Sequence, residues 1–326
     1  GKHTVGDSAS VFIVAEMSAN HHQGFDQAVA IVRAARQAGA DAVKLQTYTP
    51  DTITLNSARD EFLIRGTIWA GRRLHELYSE AFTPWDWQPK LKQIAEEEGL
   101  TLFSTPFDAT AVDFLESMNV PAYKVASFEV VDIPLLTRIG RTGKPVLLST
   151  GMATLAEIDE AVRTLREAGC RELVLLKCTS AYPAPPEEMN LRTLPHLAEA
   201  FNVPVGLSDH TVGIAAPVAG VVLGACLIEK HLTLARSAGG PDCAFSLEPD
   251  EFKAMGGAVR EAERALGEVQ YGVTQHEIAS HVYRRSLFVV EEMKAGQPFT
   301  ERNVRSIRPS HGLPPRCYPL VLGRTA

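Results

Sequence analysis

The feature that most narrows the fold is a rhythm, a short apolar run followed by an amphipathic stretch, repeated along most of the chain. The apolar runs are VFIVAE (11–16), DAVKLQT (41–47), LTLFST (100–105), AYKVAS (122–127), PVLLST (145–150), ELVLLKC (172–178), VPVGLS (203–208) and CLIEKHL (226–232). Between them lie stretches such as QAVAIVRAARQAG and EIDEAVRTLREAG. Their apolar residues recur three and four apart, and they end on Gly, a common helix stop. Eight such units within about 265 residues fit a (β/α)8 TIM barrel. A doubly wound open sheet is the alternative, but no Gly-rich nucleotide turn follows the first strand and the count reaches eight.

The rhythm spans 1–267, which is expected to be the barrel domain. It is interrupted between the second strand and its helix by the long segment 48–83, with Trp69 inside it and TPWDW at 83–87. Long barrel loops usually carry specificity, so this segment is expected to cap the barrel mouth; the plainer reading is an insertion without function. Residues 268–284 read as a linker. Residues 285–326 read as short strands and turns with one small helix, a unit near the lower size limit for independent stability.

Composition removes several classes. With 45% hydrophobic and 22% charged residues the chain has ordinary globular proportions. No apolar stretch approaches the ~20 residues that span a bilayer, and the first residues lack a signal-peptide core. Lys and Arg number 32 against 39 Asp and Glu, a net charge of −7, so neither nucleic acid nor an anionic membrane is an expected partner. The five cysteines are scattered and without CxxC spacing, which points to free thiols in a reducing compartment, cytoplasm by default.

In a barrel of this kind the chemistry sits at the C-terminal ends of the strands. Lys44, Lys124, Lys177 and Lys230 lie on strands 2, 4, 6 and 8. Ammonium groups in apolar strands need a partner. That partner is a phosphate or carboxylate ligand, helped by Ser and Thr hydroxyls, or else Glu16, Glu129 and Glu229 within the chain. Alternation sets Lys230 opposite Glu229 and His231, toward the helices. His210 and His231 end adjacent strands and read as two ligands of one divalent metal or as core and proton-relay residues; Asp242 is a candidate further ligand. Ser149-Thr150-Gly151 opens a helix and offers backbone N–H groups to a phosphate. Glu16 reads as a general acid/base or as a salt-bridge partner of a barrel lysine.

The motifs VAEMSANH (14–21), GADAVKLQTY (39–48), FSTPFD (103–108), AYKVASFE (122–129), KPVLLSTGM (144–152), KCTSAYP (177–183), GLSDHTVG (206–213), IEKHLTL (228–234) and GPDCAFSL (240–247) together resemble the sialic acid synthase family. They run in order along essentially the whole barrel. The segment ending RSIRPSHGLPPRCYPLVLG resembles the antifreeze-like (SAF) domain of that family, cut short at GRTA, and Gly1 reads as a trimmed or engineered start. EMSANH, LQTYTPDTITLNS, GTIW with HELYSEAFTPWDW, and CTSAYP resemble the family's pseudaminic acid branch; the sialic branch typically has Asn where Ser180 stands.

The resemblance implies a condensation of phosphoenolpyruvate with an acylamino-sugar aldehyde, releasing phosphate. For the pseudaminic branch the sugar is 2,4-diacetamido-2,4,6-trideoxy-altrose. It implies a divalent metal, Mn2+ or Mg2+, on His210 and His231. It implies a phosphoenolpyruvate grip by Lys44, Thr105, Lys124, Ser127, Ser149 and Ser208, with Glu16 as acid/base. Glu129, Ser180, Tyr182 and Asp242 would meet the sugar or the metal-bound water. Arg308 would reach the sugar's acyl group across a domain-swapped homodimer. A neuraminate or legionaminate synthase is the neighbouring alternative. More distant ones are a Schiff-base aldolase using Lys177 and a non-catalytic sugar-binding protein.

Overall fold

The computed structural model describes residues 4–6 and 9–326. The chain divides into two compact units, 1–267 and 268–326. In the first, eight parallel strands close into a barrel in sequence order. They are β1 (Phe12–Glu16), β2 (Ala42–Thr47), β3 (Thr101–Pro106), β4 (Tyr123–Val125), β5 (Val146–Ser149), β6 (Leu173–Cys178), β7 (Val205–Asp209) and β8 (Ala225–His231). Closure is through β1, which pairs with β2 on one side and β8 on the other, so Glu16 has both Lys44 and His231 as register partners.

The helices between strands begin and end on the expected chemistry. Helix 155–168 starts at Thr154, whose hydroxyl accepts from the Glu157 N–H while the Glu157 side chain reaches back, a reciprocal cap. It stops at Gly169, whose φ of 120° suits glycine alone. Asp108 caps helix 109–117 by accepting from the N–H groups of Thr110 and Ala111. The last barrel helix, 249–266, is tied to the first strands: Arg260 donates to Asp41 at 2.9 Å, and the same carboxylate oxygen accepts from Ile13 N–H at 2.8 Å.

Period-two alternation sorts every strand into two faces. Residues such as Ile13, Val43, Leu175, Leu207 and Ile228 point outward and join the large core between strands and helices. Phe12, Val14, Ala42, Phe103, Leu147, Leu176 and Leu227 form a separate buried cluster, the apolar filling of the barrel interior. Continuing each inward row toward the C-terminal end of its strand gives Glu16, Lys44, Thr105, Lys124, Ser149, Cys178, Ser208, Glu229 and His231. The polar site is therefore the top of an otherwise apolar plug.

Segment 48–83 is ordered. A short helix (50–53) is followed by a hairpin-like return in which Ile64 N–H donates to Arg72 O at 2.9 Å and Gly71 N–H to Ile64 O at 3.0 Å, then by a helix over 74–81. Tyr48 is buried at its root, edge-on to Tyr78 and Phe107. Trp85 donates to Tyr48 O at 3.1 Å.

The second unit carries an antiparallel pair, β9 (Ser286–Val289) and β10 (Val304–Ile307), with Leu287 and Val304 buried. Gly312 lies so close to the backbone of Leu287 that a Cβ there has no room. Among the described residues no helix is long and apolar enough to cross a membrane.

Candidate functional site

The inward polar row is one connected network. Lys44 Nζ lies 2.5 Å from Glu16 Oε2 and donates to Thr105 Oγ1 at 3.2 Å. Lys124 Nζ donates to Ser149 Oγ at 2.6 Å. Glu229 stands between the two lysines: its Oε1 is 3.8 Å from Lys44 Nζ, 3.9 Å from Lys124 Nζ, and accepts from Ser208 Oγ at 2.9 Å. All of these side chains are buried. The lysines thus have internal carboxylate partners, and Glu229 Oε2 has no hydrogen-bond partner.

Environment separates the two carboxylates. Burial pushes Glu16 up, with Lys44 opposing and Glu229 adding to the rise. Burial acts on Glu229 in the same sense, but Lys124 and Lys44 outweigh it and hold it below the ordinary carboxylate range. A pair driven apart in this way assigns the proton-carrying role to Glu16 and the fixed charge to Glu229. Burial lowers Lys124, whereas Lys44, also pressed down by burial, is held above an ordinary lysine by Glu16 and Glu229.

His210 and His231 close the upper rim, ring centroids 5.3 Å apart. His210 Nδ1 lies 2.9 Å from Thr179 O, so that nitrogen carries a hydrogen and donates it to the carbonyl. His231 Nδ1 is buried with no hydrogen-bond partner. Burial, then His210 and the lysines, hold His231 well below an ordinary imidazole, so it stays neutral. His210 is pressed down by burial but held above an ordinary imidazole by Cys178, Thr179 O and Glu229, so the two rings face one space in unlike electrostatic settings. Among the described residues no group of three or more His, Cys, Asp or Glu is arranged to hold a metal.

Asp242 is turned to the β1 loop: it accepts from Ser18 Oγ and, at 3.2 Å, from Ala19 N–H. Ser18 accepts in turn from Gln46 Nε2 at 2.8 Å, and Gln46 also donates to Glu16 Oε1 at 3.0 Å. Asp242 and Glu16 are therefore joined through two side chains.

The corner after β4 and β5 is set by a glycine. Gly151 N–H donates to Ser127 Oγ at 3.1 Å, and a Cβ on Gly151 would lie 2.7 Å from that oxygen and against Ser180 Oγ. Ser180, placed among the sugar contacts by the resemblance, thus has its hydroxyl beside Ser127 and Gly151. The Tyr182 ring lies against His210, centroids 4.4 Å apart and planes tilted by 46°. Glu129 sits in the turn after β4, half-buried, with Oε2 unpartnered; burial drives it up to about 7, Lys124 opposing. Arg308 lies in the second unit and is exposed.

Two lysines stand apart. Lys230 is fully buried on the outward face, bonded to Asp209 and to Thr211 O. Lys177 has the parity of Leu175, an outward residue, and donates to Cys178 O at 2.8 Å and Thr179 Oγ1 at 3.2 Å. It is out of phase with the inward row, which removes the geometric basis for a Schiff-base nucleophile.

Sequence alone names Glu229 only as one of three possible lysine partners and assigns no role to Gln46, Ser18, Cys178 or Phe245. Counting two residues back from His231 along β8 sets Glu229 on the same inward face. Cys178 Sγ lies 3.8 Å from His210 Nδ1; burial raises the thiol, but His210, Ser127 and Lys124 together outweigh it and bring it down to about 7.

The description "NeuB family" matches residues 31–271. The chain is also 46% identical over 316 residues to a pseudaminic acid synthase of Campylobacter jejuni (strain 81-176), covering 97% of this chain and 92% of that one. The chain belongs to the NeuB family. Another NeuB relative, the pseudaminic acid synthase of Helicobacter pylori, is 44% identical over 315 residues, 96% of this chain and 93% of the other. The N,N'-diacetyllegionaminic acid synthase of Campylobacter jejuni is 34% identical over 318 residues, 96% and 95% of the two chains. In structure, the N-acetylneuraminic acid synthetase of Leptospira borgpetersenii, solved with citrate, superposes with a TM-score of 0.76 at 28% identity, covering 86% of this chain and 93% of the other.

Proposed function

We propose that this chain condenses phosphoenolpyruvate with 2,4-diacetamido-2,4,6-trideoxy-altrose to form pseudaminic acid and phosphate. The observation that carries the reading is the meeting of Lys44, Lys124 and Glu229 with the His210–His231 pair inside one barrel. Identity to pseudaminic acid synthases, higher than to a legionaminic acid synthase, supports the choice of sugar.

Lys124 with Ser149, and Lys44 with Thr105, offer charge-assisted donors to the phosphate and carboxylate of phosphoenolpyruvate. Ser127, Ser180 and Ser208 add hydroxyls at the same end. Glu16, the carboxylate with the raised affinity for a proton, gives up or accepts it as the new alkoxide and the water at C2 change protonation. The lysines stabilise the departing phosphate, and the buried setting strengthens that attraction.

His210 Nε2 and His231 fit a divalent cation, Mn2+ or Mg2+ in this reading; when bound it polarises the sugar carbonyl as a Lewis acid. Asp242 is linked through Ser18 and then Gln46 to Glu16, which fixes the orientation of the Glu16 carboxylate.

The reading extends to the second unit as an antifreeze-like domain. In a homodimer it would carry Arg308 of one copy over the barrel mouth of the other, in a cytoplasmic enzyme. The exposed Phe128, Val131, Met152 and Val212 on the loops after β4, β5 and β7 support a covered mouth.

The test is direct. The protein is incubated with phosphoenolpyruvate, Mn2+ and, separately, the altrose derivative, its legionaminate counterpart and N-acetylmannosamine, and phosphate release is measured. Release with the altrose derivative is expected; release only with another sugar, or borohydride trapping with pyruvate, overturns the reading.

A further inference from the structure

Four aromatic side chains form a closed ring at the barrel mouth. Centroid distances run Tyr182–His210 4.4 Å, His210–His231 5.3 Å, His231–Phe245 4.9 Å and Phe245–Tyr182 5.1 Å. Trp69 lies on this ring from a distant part of the sequence, 5.5 Å from Tyr182 and 6.5 Å from Phe245, nearly perpendicular to the latter. It sits at the tip of the return in segment 48–83, between Gly66 and Gly71, both at positive φ (70° and 88°). Its indole Nε1 donates to Pro241 O at 2.8 Å, the carbonyl next to Asp242.

We propose that Trp69, with Tyr182 and Phe245, is the specificity wall of the sugar site, favouring a sugar whose end remote from the aldehyde is a methyl over one that carries a hydroxyl there. The inference rests on the proposed condensation, which places the aldehyde at His210 and His231. The chemistry then follows from what surrounds the pair. The polar groups of the network, Glu16, Lys44, Lys124 and Glu229, lie on the inner side. The other two members of the ring are the aromatic faces of Phe245 and Tyr182, and Trp69 lies against both. The Trp69 N–H is already committed to Pro241 O, so the indole offers a sugar its apolar faces only. A hydroxyl held against such a surface loses water contacts without replacement, whereas a methyl gains burial. Apolar pockets of this kind discriminate against an added hydroxyl by about a hundredfold at most.

The hydrogen bond gives Trp69 a second role. It fastens a loop inserted after β2 to the loop after β8, so that the wall stands at a fixed distance from the two histidines. Loss of the N–H alone should weaken sugar binding generally, and loss of the ring should weaken discrimination.

The experiment compares kcat/KM for the trideoxy sugar and its 6-hydroxy counterpart in wild type, Trp69→Phe and Trp69→Ala, with the phosphoenolpyruvate KM and thermal melting alongside. Wild type should favour the deoxy sugar by about 10- to 100-fold. Trp69→Ala should cut that ratio at least fivefold with the phosphoenolpyruvate KM within twofold. Trp69→Phe should keep the ratio and raise both sugar KM values several-fold; it carries the test should Trp69→Ala fail to fold. Normal turnover with an unchanged ratio in Trp69→Ala, or unchanged sugar KM values in Trp69→Phe, overturns the wall. No phosphate release by wild type with either sugar defeats the proposed condensation itself, and the inference with it.

Discussion

Replacing Glu229 by Gln should make this protein less stable and, at the same time, a better binder of anions. The two effects have one source. At about 4 Å and an effective dielectric near 20, each lysine–carboxylate attraction is worth roughly 4 kcal/mol, and Glu229 makes two of them, at 3.8 and 3.9 Å. Much of that gross gain offsets the cost of burying the carboxylate. Removing one member of a buried charge group typically costs about 3–5 kcal/mol. Glutamine keeps the Ser208 hydrogen bond through its amide oxygen, so packing is little changed. In a unit of this size the loss should lower Tm by on the order of 10 °C. Phosphoenolpyruvate or inorganic phosphate would then supply the missing negative charge without meeting Glu229. Each tenfold gain in anion affinity adds about 1.4 kcal/mol of ligand-linked stability at saturation. Thermal unfolding of both proteins, with and without anion, reads this out: the anion-induced rise in Tm should be larger in Glu229→Gln. An unchanged Tm, or an anion shift no larger than in wild type, would refute the electrostatic account of the two lysines.

Three further outcomes are expected. His210→Ala or His231→Ala should abolish phosphate release while leaving the circular dichroism spectrum intact, and chelation of wild type should be reversed by added Mn2+; full activity of either variant in metal-free buffer contradicts the metal role. Glu129 has its pKa raised from 4.5 to about 7 by burial. Its contribution to stability is therefore fully present below 4.5 and lost as pH rises through 7. Tm curves of wild type and Glu129→Gln should diverge across that window, wild type falling relative to the variant, and parallel curves would contradict the burial. Arg308→Ala should raise the sugar KM and leave that of phosphoenolpyruvate alone, measured by initial rates; movement of the latter only would misplace the second unit.

The barrel is legible in the sequence because each strand is buried on both faces and so reads as a plain apolar run between helical periods. The lysines show where legibility stops. Lys44, Lys124, Lys177 and Lys230 look alike as ammonium groups in apolar strands, and alternation within β8 alone is enough to turn Lys230 outward. Sorting Lys177 from Lys44 and Lys124 needs the inward rows of different strands to be aligned, which the closed register supplies. Glu229 was in view as a possible lysine partner, yet its place between both lysines depends on three strands at once. Trp69 is harder still. Its position 172 residues from Pro241 leaves no local pattern to read, and only the folded return brings the indole to that carbonyl.

The apolar filling beneath the charged network makes the barrel a vessel with a floor. Phe12, Phe103, Leu147 and Leu176 fill the interior below the network, so in the proposed reaction the substrates come in from the C-terminal ends of the strands. In the proposed condensation the enol phosphate would sit on the lysines with the sugar above it, which gives loading a natural sequence. The freed inorganic ion, lying lowest, would be the last to depart, after the nine-carbon acid has cleared the way.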